Sequence, residues 1–236
     1  MLATIKTYKR ALGAAFPHTI PVLTGYLFLG MAFGVLLESV GYGPLWALLM
    51  SACVYAGSMQ FVAVGLLSSS FMPVQALLLA LMVNARHIFY GISMLERFRG
   101  LGREKPYMIF ALTDETFSLL CAIPSPGDVP ERPFILCITA LNQAYWIAGS
   151  VLGGLLGGAL SFDTRGIEFV MTALFVVIFL SQWETKKGRL PALAGVGVAM
   201  LCLLIFGGQW FLLPTMVALT GILLLLRGRL EGRDAP

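Results

Sequence analysis

Met72-Pro-Val-Gln-Ala-Leu-Leu-Leu-Ala-Leu-Met-Val-Asn84-Ala85-Arg86-His87-Ile-Phe-Tyr90-Gly91-Ile-Ser-Met-Leu95 is an apolar run long enough to cross a bilayer, with a polar cluster set inside it. A guanidinium near mid-membrane costs about 2.5–3.5 kcal/mol on insertion scales, so it persists where it is paired, wet or functional. On a helix Asn84 and His87 share a face with Gly91, whereas Arg86 aligns with Met82 and Tyr90. Polar groups then cover more than half of the helix circumference, which suits a central, cavity-lining segment better than a lipid-facing one. The alternative is that Arg86 and His87 lie near the segment end and snorkel to the headgroups, since only eight residues separate His87 from Leu95.

The rest of the chain sets the fold class. Its 236 residues are 58% apolar and 12% charged, with a mean hydropathy of +0.86, too apolar for a soluble domain. Eight apolar segments follow one another: Phe16–Leu37, Pro44–Leu67, Met72–Leu95, Tyr107–Ile123, Phe134–Leu160, Ile167–Trp183, Leu190–Phe206 and Trp210–Leu226. Turn and charge signals separate them, among them Gly41-Tyr42-Gly43-Pro44, Pro124-Ser125-Pro126-Gly127-Asp128 and Lys186-Lys187-Gly188-Arg189, and Trp183 and Trp210 stand where interfacial anchors belong. The expectation is an all-α, polytopic membrane protein with about eight hydrophobic segments, a single transmembrane domain over residues 1–236, with both termini cytoplasmic. Lys6, Lys9 and Arg10 before the apolar run imitate a signal peptide, but no small-residue cleavage site ends that run, so it reads as a retained first helix.

Composition also excludes several functions. The net charge of +4 comes from loop Lys and Arg residues and gives no reason to expect a nucleic-acid partner. Cys53, Cys121, Cys137 and Cys202 lie singly in apolar segments without metal or disulfide spacing, so neither a metal nor a cofactor is expected. No P-loop motif is present, which excludes a built-in ATPase of that kind.

Basic residues bear on topology. If all eight segments span, ten of them (Lys6, Lys9, Arg10, Arg132, Lys186, Lys187, Arg189, Arg227, Arg229, Arg233) lie inside and five (Arg97, Arg99, Arg103, Lys105, Arg165) outside. If the second and fourth segments instead dip in and return, the balance becomes fourteen against one. Charge does not choose between the two arrangements, but those segments are the best candidates for breaks. The second holds Ser51, Tyr55, Ala56-Gly57-Ser58 and Gln60 at its centre, and the fourth is short and holds Thr113-Asp114-Glu115-Thr116. Non-helical backbone at membrane depth survives only against protein or a wet cavity, and such breaks mark substrate sites in transporters.

The same stretches supply the chemistry. Asp114 and Glu115 are adjacent carboxylates in an apolar segment, natural partners for Arg86, and about 100° apart on a helix, so they cannot both face one point. One pairs with Arg86 while the other meets substrate or takes up a proton; desolvation and a nearby guanidinium act on such a carboxyl in opposite directions, so proton coupling could be tuned there. The alternative is a purely structural ion pair. Tyr55, Ser58 and Gln60 place hydroxyl and amide groups within two turns, with Gly57 permitting a break. Asn142 and Gln143 are a further polar pair, lining a cavity or bonding between helices, and Glu168 reads as an interfacial acid. An echo links Tyr26-x-x-x-Gly30-x-x-x-Gly34 with Tyr145-x-x-x-Gly149-x-x-x-Gly153, by close helix packing or by a duplicated half.

Taken in order, Pro17 and Pro21 before Gly30-Met-Ala-Phe-Gly34, Tyr55-Ala-Gly-Ser-Met-Gln-Phe61, Asn84-Ala-Arg-His87 with Tyr90-Gly91, and Asp114-Glu115 resemble the AzlC-type branched-chain amino acid permease family, the larger subunit of azaleucine-resistance exporters. The resemblance runs from about Pro17 to Gln182 and departs at Glu168, where the family pattern has Asp. It implies export of branched-chain or similar hydrophobic amino acids by a permease acting with a separately encoded small membrane subunit of the AzlD type. On that basis Tyr55, Gly57, Ser58, Gln60, Asn84, Arg86, His87 and Asn142 are the expected substrate-binding residues, with Asp114 and Glu115 for proton coupling. A non-transporting membrane scaffold or regulatory subunit is the alternative. An intramembrane enzyme is disfavoured by the lack of a nucleophile motif.

Overall fold

The computed structural model describes residues 2–68, 73–84, 86–159 and 186–211, with scattered positions between 176 and 225. Every element among the described residues is a helix. The chain divides into two compact units, Met1–Glu168 and Phe169–Pro236.

In the first unit the long helices α1 (Leu2–Ser39) and α8 (Glu131–Ala159) set the frame. Pro17 and Pro21 lie inside α1, and the hydroxyls of Thr19 and Thr24 donate to the carbonyls of Phe16 and Pro21, so local side chains serve carbonyls around the proline-interrupted stretch. The two helices meet through glycines. A Cβ on Gly30 would stand 2.9 Å from Ser150 N, one on Gly149 2.7 Å from Tyr26 O, and one on Gly34 2.5 Å from Gly154 N. Thr19 pairs with Tyr145 lower down and Val35 packs on Gly157 higher up, so the helices run parallel. The echo in the sequence is thus a backbone-to-backbone packing motif, of the small-residue kind that lets membrane helices approach closely.

Both suspected segments are broken. The second forms α2 (Pro44–Cys53) and α3 (Gly57–Leu67). Pro44 packs on Gly154 and the Ala52 carbonyl accepts from Gln143 Nε2, so α2 runs antiparallel to α8; α3 then returns, with Gly57 against Trp146 and Phe61 against Phe33. The third segment is described as α4 (Pro73–Asn84) and α5 (Arg86–Ser93) on either side of Ala85, which lies outside the described residues. It leads to a core in which Met94 and Phe98 join Ala11, Ala15 and Phe134. The fourth segment forms α6 (Lys105–Phe110) and α7 (Asp114–Ala122).

Ion pairs fix the ends of this fourth segment. Glu104, just before α6, accepts from Arg132 Nε at 2.6 Å and from the Tyr8 hydroxyl at 3.3 Å. Past α7, Asp128 pairs with Arg10 at 3.0 Å, and Glu131 pairs with Arg97 at 2.8 Å. The starts of α1 and α8 and both feet of α6–α7 therefore share one end of the unit, and α6–α7 is a hairpin that enters and leaves at that end. The hairpin α2–α3 enters and leaves at the opposite end. Arg97, in the 96–106 loop, thus lies with Arg10 and Arg132, as in the arrangement with the second and fourth segments turned back.

Among the described residues three helices are long and apolar enough to cross a membrane: α1, α8 and, in the second unit, α9 (Lys186–Trp210). Within α9, Gly207 takes φ 71°, a left-handed conformation that bends the helix near its end. Segment Ile167–Trp183, with Glu168, lies almost wholly outside the described residues, and segment Trp210–Leu226 is described only at interrupted positions.

A break inside a membrane leaves orphan carbonyls, and Gln143 serves one of them. Its Nε2 donates to Ala52 O at 3.2 Å while its Oε1 accepts from the Tyr107 hydroxyl at 2.8 Å, so it ties the end of α2 to α6. Gln143→Leu is expected to cost about 1–3 kcal/mol, the penalty of a buried polar group left unpaired, read as a lower unfolding temperature in detergent.

Candidate functional site

The site forms where the two hairpin tips meet. At the end of α2 the amides of Val54 and Tyr55 both donate to Met50 O, and Tyr55 takes φ 46°, a left-handed conformation uncommon for a bulky residue. The chain restarts as α3 at Gly57, where a Cβ would stand 3.2 Å from the Trp146 ring, so a larger residue would press on the indole. At the other tip Thr113 caps α7, its Oγ1 accepting from Thr116 N at 3.4 Å. Asp114 and Glu115 then occupy the first turn of α7, where carboxylates are favoured by the helix dipole.

Arg86 joins the two tips. Its Nη1 lies 2.6 Å from Asp114 Oδ2 and its Nη2 donates to Ser58 Oγ at 3.1 Å, so one guanidinium holds the first turns of α3 and α7. About a third of each side chain of the pair is accessible, 35% for Arg86 and 31% for Asp114. Arg86 Nε and Asp114 Oδ1 are nevertheless buried without a hydrogen-bond partner.

Beside this pair runs a row of hydroxyls. Glu115 Oε2 accepts from Tyr26 at 2.5 Å, the Tyr26 oxygen lies 2.8 Å from Thr113 Oγ1, Thr113 donates to Thr116 Oγ1 at 3.1 Å, and Asn142 Nδ2 donates to the same Thr116 oxygen at 3.0 Å. Asn142 Oδ1 is buried without a hydrogen bond, and the buried Tyr55 hydroxyl stands beside Thr113 and Tyr26 without a well-aligned one. The Tyr55 ring lies 6.4 Å from Phe110, tip against tip. A cavity of about 280 Å³ is lined by Val22, Asp114, Glu115, Ser118 and Leu119. The unpartnered groups of these residues are donors (Arg86 Nε–H, Tyr55 O–H) and acceptors (Asp114 Oδ1, Asn142 Oδ1), the kinds of group that a carboxylate and an ammonium respectively require.

The ten expected residues separate into four groups. Ser58, Arg86 and Asp114 touch, and Tyr55, Glu115 and Asn142 stand in or beside the hydroxyl row. Gly57 and Gln60 serve packing: Gln60 Nε2 donates to Ser51 Oγ at 3.2 Å and its Oε1 accepts from Trp146 Nε1 at 2.9 Å, both ends spent between helices. Asn84 and His87 bond within their own stretch, Asn84 Nδ2 to Ala80 O and His87 Nδ1 with Asn84 O. Gln60→Leu would strand the Trp146 N–H, and is expected to cost about 1–3 kcal/mol of stability, with substrate half-saturation in transport assays little changed in whatever protein folds. Among the described residues no group of three His, Cys, Asp or Glu side chains is placed to hold a metal ion.

Sequence reasoning missed Tyr26, which stood only as the head of a glycine repeat, and gave Thr113 and Thr116 no role. Thr113 had a signal: a threonine directly before two acids and a short apolar run is a helix-start pattern.

The AzlC protein family profile matches residues 21–160. The chain is 47% identical over 221 residues to the branched-chain amino acid transport protein AzlC of Bacillus subtilis, covering 94% of this chain and 87% of that one. It is 45% identical over 224 residues to an uncharacterized membrane protein of Helicobacter pylori, covering 95% and 98%. It is 27% identical over 186 residues to the inner membrane protein YgaZ of Escherichia coli, covering 76% of each chain. No solved structure matches.

Proposed function

Because the chain belongs to the AzlC family of membrane transport proteins, we propose that it exports branched-chain or other hydrophobic amino acids across the cell inner membrane by proton-coupled secondary transport. The family is one of transporters and not of enzymes. The observation that carries the reading is the Arg86 bridge between the two hairpin tips, with a donor and an acceptor left open on its two partners. Discontinuous helices meeting near the middle of a bundle are how transporters present polar backbone and side chains to a substrate inside a membrane.

In this proposal Arg86 Nε and the Tyr55 hydroxyl receive the substrate carboxylate, and Asp114 Oδ1 and Asn142 Oδ1 receive its ammonium. Ser58 holds Arg86, Gly57 lets the first tip come close, Gln60 braces it, and Asn84 and His87 shape the wall. Arg10, Arg97 and Arg132 sharing one end of the first unit supports a cytoplasmic position for that end by the positive-inside rule. The hairpin α6–α7 then faces the cytoplasm and α2–α3 the outside, one gate to each side, and the protein works with a small membrane subunit of the AzlD type. The test is flux of radiolabelled leucine, valine and methionine in proteoliposomes under an imposed pH difference, with and without such a subunit. Flux of none of the three in either preparation would refute the proposal.

A further inference from the structure

We propose that Glu115 carries the proton coupled to transport, with Tyr26 as its positioning residue, while Asp114 stays ionised as the counter-charge of Arg86. The inference rests on the transport reading above and assigns its two carboxylates different work.

Counting hydrogens leads to it. Three oxygen-to-oxygen contacts run in sequence: Glu115 to Tyr26 at 2.5 Å, Tyr26 to Thr113 at 2.8 Å and Thr113 to Thr116 at 3.1 Å. Each hydroxyl has one hydrogen. Thr113 spends its hydrogen on Thr116 Oγ1, so the Tyr26 hydrogen serves either Glu115 or Thr113, and an ionised Glu115 has none to give. With Glu115 ionised and Thr113 donating to Thr116, one of the short contacts lacks a hydrogen. A proton added to Glu115 Oε2 completes the row: Glu115 donates to Tyr26, the Tyr26 hydroxyl turns its hydrogen to Thr113, and Thr113 keeps Thr116. One proton enters from water and no other covalent bond changes; the Thr116 hydroxyl keeps its own hydrogen, which none of the three contacts uses. Buried polar groups in folded proteins are overwhelmingly satisfied, so the geometry favours the protonated carboxyl.

The surroundings separate the two acids. Asp114 is engaged by a guanidinium at 2.6 Å, and neutralising it would leave a partly buried cation unpaired. Glu115 faces Tyr26 from α1 and Tyr55 from the α2–α3 tip, with Asp114 beside it on α7 and, from α5, Tyr90 and the Arg86 cation whose charge reaches it; α8 adds no charge there, its Asn142 bonding Thr116 and its Trp146 packing on Tyr26. It therefore gives up its charge without orphaning a cation. Asp114 and Glu115 border one open groove, so neither carboxyl is sealed off by the helix packing. Because Thr113 caps α7, reversal of the Tyr26 hydrogen reaches the hairpin tip itself.

The test is infrared spectroscopy of the purified full chain in lipid across a pH titration, following the carbonyl band of a protonated carboxylic acid. The expected result is a band that is present in the wild type, lost in Glu115→Gln and displaced in Tyr26→Phe, which removes the accepting hydroxyl. No titrating band in the wild type, a band that survives Glu115→Gln, or one unmoved in Tyr26→Phe overturns the assignment. If Glu115→Gln does not fold, Tyr26→Phe decides through the pH profile of leucine flux: its midpoint moves if Tyr26 positions the proton, whereas flux lowered equally at every pH overturns that role. Wild-type protein with the band intact but no flux of any amino acid refutes the export reading and leaves the proton on Glu115.

Discussion

Arg86→Ala is expected to abolish amino acid flux while the protein remains in the membrane. Two losses combine. The guanidinium ties Ser58 to Asp114, and removing it leaves Asp114 without its counter-charge. Breaking a fully buried pair costs about 3–5 kcal/mol, and partial solvent access to both side chains lowers this to about 2 kcal/mol. Loss of a charge-assisted contact to the substrate carboxylate is worth about 1.5–3 kcal/mol, roughly 10- to 100-fold in half-saturation. Asp114→Ala should behave alike. The charge-swapped double variant, Arg86→Asp with Asp114→Arg, separates structure from binding: it restores the pair, so thermal stability recovers toward wild type, but flux stays absent. Recovery of flux in the swap would mean that the pair only organises helices, as a scaffold requires.

The largest effect on folding is expected at the crossing of α1 and α8. A Cβ on Gly34 would meet the backbone of Ser150, Gly153 and Gly154, and one on Gly153 would meet the backbone of Met31. Backbone cannot step aside as a side-chain end can, so Gly34→Ala costs at the upper part of the roughly 1–3 kcal/mol range for an overpacked core, and Gly34→Leu prevents the close crossing. Gly25 lies on the same helix with nothing within 4 Å of its Cβ position, and Gly25→Ala is expected to be neutral or to stabilise by up to about 1 kcal/mol through helix propensity. Monodisperse yield after solubilisation and unfolding temperature distinguish the two. Equal behaviour of Gly34→Ala and Gly25→Ala would remove the crossing from the account.

Much of this arrangement was legible before any coordinates. An arginine inside an apolar run demands an acid, and Asp114-Glu115 was the adjacent acidic pair that an apolar segment offered; their angular separation already required different partners, and the structure gives Arg86 to one and Tyr26 to the other. Ala56-Gly57-Ser58 and Thr113 marked the breaks because small and capping residues interrupt a helix where Leu and Val do not. Topology was beyond charge counting alone, because Arg97, Arg99, Arg103 and Lys105 could sit on either side. The contacts of Glu104 with Tyr8 and Arg132, and of Asp128 with Arg10, fix the two feet of the hairpin. Gln60 looked like a ligand because an amide in an apolar segment has the same chemistry whether it faces a cavity or a neighbouring indole. The direction of a side chain is not written in its type.

Tyr55 at φ 46° has a mechanical consequence. An L-residue in the left-handed region is strained by about 1–2 kcal/mol, so the elbow between α2 and α3 holds stored torsional energy that a glycine there would not. A glycine at position 55 would relieve that torsion, but it would also remove the phenol that meets Phe110 across the two tips.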